Sequence, residues 1–78
     1  MDEKWLRCSI AKGMFSDEFA ILYSRPNSRQ ISVFVPRQFV DESTGRVKVC
    51  VFTKGYQTWA VLPNESRKEV LVSSDDIS

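Results

Sequence analysis

The residues of this chain with chemistry to offer are four acidic doublets and two cysteines. The doublets are Asp2-Glu3, Asp17-Glu18, Asp41-Glu42 and Asp75-Asp76; the thiols are Cys8 and Cys50. Paired carboxylates can move protons when one of them is held protonated, and they bind hard cations when they converge. These four are scattered through segments that read as loops and tails, where solvated turn residues are the ordinary outcome. Cys50 would be a nucleophile only beside a group that stabilises its thiolate, and Lys48 is the nearest in sequence; a core thiol is the simpler reading. The chain has no histidine, which removes the commonest general base and metal ligand. It also lacks a C-x-x-C pair, a glycine-rich phosphate loop and a nucleophile elbow. The expectation is a protein that is not an enzyme, with no catalytic residues, no cofactor and no metal.

Composition narrows the class further. Seventy-eight residues make one small domain, near the size below which a single hydrophobic core no longer suffices. Apolar residues at 42% and nine aromatics (five Phe, two Tyr, two Trp) point to a folded globular chain. Eleven basic and ten acidic residues leave a net charge of +1, which gives no general attraction to phosphate backbones or anionic membranes. No apolar run approaches the ~20 residues of a membrane span, so no membrane partner is expected. The opening MDEKWLR has acids and no apolar stretch of the secretory kind, and two distant cysteines do not make a secreted disulfide scaffold. A cytoplasmic protein with reduced thiols follows as the expectation, and the Asn64-Glu65-Ser66 glycosylation pattern reads as chance.

The elements that must position any site are strands. Residues 46–62, RVKVCVFTKGYQTWAVL, form the organising stretch: Val47, Val49 and Val51 alternate with Lys48, Cys50 and Phe52. Lys54-Gly55 then reads as a two-residue turn into a second strand, with Gly supplying positive φ. That register sets Thr53 opposite Tyr56, Val51 opposite Thr58, Val49 opposite Ala60 and Val47 opposite Leu62 on one core face. The other face pairs Cys50 with Trp59, Phe52 with Gln57 and Lys48 with Val61. A slip of one residue would exchange the faces.

Before the hairpin, residues 4–11 alternate as a first strand, ended or bulged at Lys12-Gly13, and residues 15–19 hold a polar turn between Phe15 and Phe19. Residues 19–23 give a second strand; a helix over SDEFAILY, capped by Ser16 or Asp17, is the other reading, but Pro26-Asn27 stops it early. Residues 25–28 are a turn, and 30–35 are a third strand ended by Pro36. Residues 36–45 form a connection anchored by Phe39 and Val40. Residues 63–68 suit one helical turn capped by Asn64, and 69–73 make the last strand. Residues 74–78 read as a flexible acidic tail, in which Ile77 is able to pack.

The whole is expected to be a single all-β domain over residues 1–78, a small antiparallel barrel of five or six strands. Its chain order resembles an SH3-like barrel, with an OB-like barrel as the runner-up; the resemblance is one of architecture and carries no function. The expected core comprises Leu6, Cys8, Ile10, Ile21, Ile31, Val33, Val35, Val47, Val49, Val51, Ala60, Leu62, Val70 and Val72. Two functional readings remain. If the third strand pairs with the fourth, Phe34, Phe52 and Trp59 gather on the outer face, rimmed by Arg37 and Lys48, as a site for protein binding. The partner would be a second copy or a larger protein. Alternatively the 36–45 loop folds over that face and makes it a second small core. The other function is a nucleic-acid-binding small barrel, in which Tyr23, Arg25, Arg29 and Arg46 supply stacking and charge around the middle strands.

Overall fold

The computed structural model describes residues 2–24 and 30–78. Eight antiparallel strands and two single 3₁₀ turns account for 50 of these 72 residues. The strands are β1 (Asp2–Arg7), β2 (Ser9–Lys12), β3 (Glu18–Ser24), β4 (Gln30–Pro36), β5 (Val40–Asp41), β6 (Arg46–Lys54), β7 (Gln57–Val61) and β8 (Glu69–Val72). The 3₁₀ turns are Arg37–Phe39 and Ser74–Asp76. From Glu18 on, the SDEFAILY segment is strand and not helix, with Ser16 and Asp17 in the turn before it.

Two sheets carry the fold. One has the order β1-β6-β7-β8, with β5 added beside β6; the other has the order β2-β3-β4. β1 and β2 are one strand broken at Cys8, where the chain leaves the larger sheet for the smaller one. The Cys8 N–H donates to the Gly45 carbonyl at 3.0 Å, which pins the crossing point. Gly45 adopts φ +68°, and a Cβ there would lie 3.5 Å from the Cys8 carbonyl oxygen.

The β6–β7 hairpin turns one residue later than its sequence suggests. Lys54 pairs with Gln57, so Gly55 and Tyr56 are the loop residues. Gly55 holds φ +64° and Tyr56 does not have a positive φ, the arrangement of a II′ turn with Gly first. The register becomes Val51 opposite Ala60, Phe52 opposite Trp59 and Cys50 opposite Val61. Each partner moves by two residues, so both faces keep their members.

Between the sheets lies one core. Leu6, Ile21, Val35, Val47, Val49, Ala60, Leu62, Val70 and Val72 are buried, and Cys8, Ile10, Ile31, Val33 and Val51 pack against them. Phe19 and Tyr23, absent from the expected core, join the buried set on the same face of β3 as Ile21. Neither sheet closes into a barrel among the described residues. β4 pairs with β3 alone and not with β6. Pro36 has no N–H to continue the ladder, the chain turns at Arg37–Phe39, and β5 takes the place beside β6.

Residues 74–78 are docked, where a flexible tail is expected from their composition. Ser73 caps the 3₁₀ turn through its side chain, which accepts from the Asp75 N–H at 3.3 Å. Ser78 exchanges two backbone hydrogen bonds with Trp5, both 2.9 Å, and Ile77 bridges Leu6 while packing on the core. The chain thus runs from β8 through the 3₁₀ turn to the outer edge of β1.

Candidate functional site

The face of the larger sheet turned away from the core carries the candidate site. Alternation on β6 sends Val47, Val49 and Val51 inward, so Lys48, Cys50 and Phe52 point outward. Cross-strand pairing puts Trp59 beside Phe52, and Leu71 beside Trp59, in one row across three strands. A second row joins Val61 to Cys50, and Trp5 stands opposite Lys48 on the far side. All of these are half-buried, packed on one another but not covered as core residues are. The Trp59 indole N–H is enclosed by its neighbours and has no hydrogen-bond acceptor among the described residues.

Charge frames this apolar band. The Lys48 ammonium lies 3.2 Å from the Glu3 carboxylate, so it is engaged there. At one end Arg7 and Arg46 face each other across β1 and β6, with Asp41 opposite Arg46 on β5. Arg7 is ion-paired to Asp76 at 3.0 Å. The Asp41 carboxylate accepts from the Ser43 hydroxyl at 2.7 Å, and its hydrogen bonds to Ser43 and Thr44 hold it below the usual carboxylate range.

The 36–45 connection does not fold over this face as a second core. Val40 pairs with Val47 and packs, with Phe39, against the main core. β5 and β7 lie end to end along one edge of β6, leaving Lys48 and Val49 between them. A cleft of about 290 Å³ opens there, lined by Phe39, Lys48, Cys50, Val61, Pro63 and Arg67.

Of the expected partner-binding residues, Lys48, Phe52 and Trp59 come together, while Phe34 and Arg37 do not join them. Phe34 is on the smaller sheet, opposite Ala20, because β4 never reaches β6. Arg37 is exposed in its 3₁₀ turn, with its N–H donating to the Asp17 carbonyl. Trp5 and Leu71 were missing from the expected set, since only the strand order places β1 and β8 beside the hairpin. The nucleic-acid set is dispersed. Tyr23 is 4% exposed, too buried for a base to stack on it, and its hydroxyl donates to Asp76 at 2.8 Å. Arg46 is half-buried, and Arg25 and Arg29 lie outside the described residues.

Among the described residues the acidic doublets do not converge with one another or with the cysteines into a group of three or more. Asp2 and Glu3 are strand residues paired with Val51 and Cys50, a correction to their expected place in a tail. Glu18 accepts from the Met14 N–H at 3.0 Å and opens β3. Asp76 bonds Tyr23 and Arg7. Cys8 and Cys50 are both free, and burial pushes the Cys8 thiol up to about 11. Among the described residues no helix is long and apolar enough to cross a membrane. Comparison with known proteins identifies no relative: no family model matches this chain, and no curated protein and no solved structure matches it.

Proposed function

We propose that this chain is a non-catalytic protein-interaction module that docks on a larger protein through the outer face of its five-stranded sheet. The observation that carries the reading is the continuous row Phe52–Trp59–Leu71, half-buried on the side away from the core. Contiguous apolar surface with a charged rim is the usual mark of a protein contact, and Trp is enriched among residues that dominate binding energy. Free cysteines are in keeping with a cytoplasmic setting. We read the architecture as an SH3-like small barrel left open beside β4, with residues 77–78 completing its seam along β1.

The test is affinity capture with the intact chain in high salt, beside Trp59→Ser and Arg46→Ala. A specific protein retained by the parent and by Arg46→Ala, but lost with Trp59→Ser, supports the reading. Retention unchanged by Trp59→Ser refutes it. Binding of single-stranded oligonucleotides that falls steeply with salt would favour the nucleic-acid role instead.

A further inference from the structure

The smaller sheet ends in an edge that no other described strand pairs with. β4 (Gln30–Pro36, QISVFVP) pairs with β3 on one side and with nothing on the other among the described residues. The Arg37 N–H donates to the Asp17 carbonyl at 2.8 Å, one step beyond the Glu18–Pro36 pair. Hydrogen-bonded and non-bonded pairs alternate along an antiparallel ladder, so Ile31, Val33 and Val35 bond inward to β3. Gln30, Ser32 and Phe34 therefore direct their N–H and C=O groups outward. Pro36 falls on that same outward series, the side on which a missing N–H does no harm.

Natural proteins blunt such edges with charge, short length or a covering segment. The other edges here follow that rule: β8 is four residues long and begins with Glu69, β2 ends in Lys12, and β1 is covered by residues 77–78. β4 has seven residues and no charge in a chain that is 27% charged. The turn that contains Asn64, Glu65 and Ser66 stands off from Val33 and Phe34 across an open groove of about 460 Å³. Phe34 is 50% exposed.

We infer that β4 is a self-pairing edge, and that its partner is β4 of a second copy in antiparallel register about a two-fold axis at Ser32. The match is in the sequence of the strand. The axis sets Ser32 against Ser32 and Gln30 against Phe34, so each outward N–H meets an outward C=O. No like charges are opposed, and the facing serine hydroxyls can hydrogen-bond. The two three-stranded sheets become one sheet, and the exposed Phe34 side chains gain cover. This contact is distinct from the outer face of the larger sheet and does not depend on it.

Light scattering on the intact chain tests it, with Ser32→Lys and Trp59→Ser alongside. The expected result is a mass twice the 9.0 kDa of one chain, halved by Ser32→Lys and untouched by Trp59→Ser. A monomer at every concentration overturns the inference while leaving the docking face open. A dimer that survives Ser32→Lys and is lost with Trp59→Ser also overturns it, and moves the contact to the larger sheet. Amide exchange on the unmodified chain covers a Ser32→Lys variant that fails to fold. The Ser32 and Phe34 amides should be slow when concentrated and fast on dilution. Fast exchange at both concentrations counts against pairing.

Discussion

Tyr23 shows what one side chain does for the join between the sheets. Its ring is in the core, and its hydroxyl accepts from the Ser73 N–H at 3.0 Å while donating to Asp76 at 2.8 Å. Asp76 in turn holds Arg7 of β1. Burial, with Asp76 adding to it, pushes the Tyr23 phenol from 10.0 up to about 12, and burial lifts the Cys8 thiol from 9.0 to about 11. Both groups hold their protons longer folded than unfolded. Their contribution is therefore complete below about pH 9 and is lost as pH rises, between about 9 and 11 for Cys8 and about 10 and 12 for Tyr23. Urea unfolding across this range should show stability falling with pH. Tyr23→Phe should flatten the upper part of that fall, and should cost about 1–3 kcal/mol at neutral pH because the Ser73 N–H loses its acceptor. An unchanged alkaline slope in Tyr23→Phe would show that the phenol is not responsible. The hydroxyl's partners were not legible in the sequence, since the aspartate that captures it is 53 residues away; the inward face of the ring, two residues from Ile21, was legible, although Tyr23 read as a surface ring for stacking.

At the scale of elements, the turns decide which residues meet. Gly55 takes the first loop position because that is where the II′ turn needs positive φ, and this shifts the hairpin register by two. The faces were legible from period-2 alternation, which a shift of two preserves; the partner of Trp59 was not. Residues 63–68 form no helical turn, a correction to the expectation of one capped by Asn64; Asn64 instead closes a hydrogen-bonded turn, its side-chain carbonyl accepting from the Lys68 N–H at 2.9 Å and its main-chain carbonyl from the Arg67 N–H at 3.1 Å. Gly45 has the more consequential place, since its carbonyl ties the break between β1 and β2 while its φ is positive. Gly45→Ala should destabilise by about 1–2 kcal/mol, the cost of placing a Cβ in the left-handed region. Chemical denaturation of the variant measures it, and a neutral result would mean that the crossing at Cys8 does not depend on this turn.

For the whole molecule, the core between the sheets is the common support of both proposed surfaces. Leu6 is at its centre, wholly buried, paired with Val47 on one side and bridged by Ile77 on the other. Leu6→Ala should cost about 2–5 kcal/mol, a large share of the 5–15 kcal/mol that a domain usually has. The thermal midpoint would drop sharply; a shift of only a degree or two would place the core elsewhere. By itself the sequence determined the all-β class, most strand positions and nine of the fourteen expected core residues as buried, with the other five packed against them. Those follow from alternation, glycine and proline, which act over a few residues. Which strands became neighbours was decided only by the tertiary structure. β1 crosses between sheets at Cys8, β5 rather than β4 lies beside β6, and the tail returns to Trp5. Those choices brought Trp5 and Leu71 to the hairpin and kept Phe34 away. Pairing between distant segments depends on how two sheets pack over one core, and short-range patterns carry no record of that.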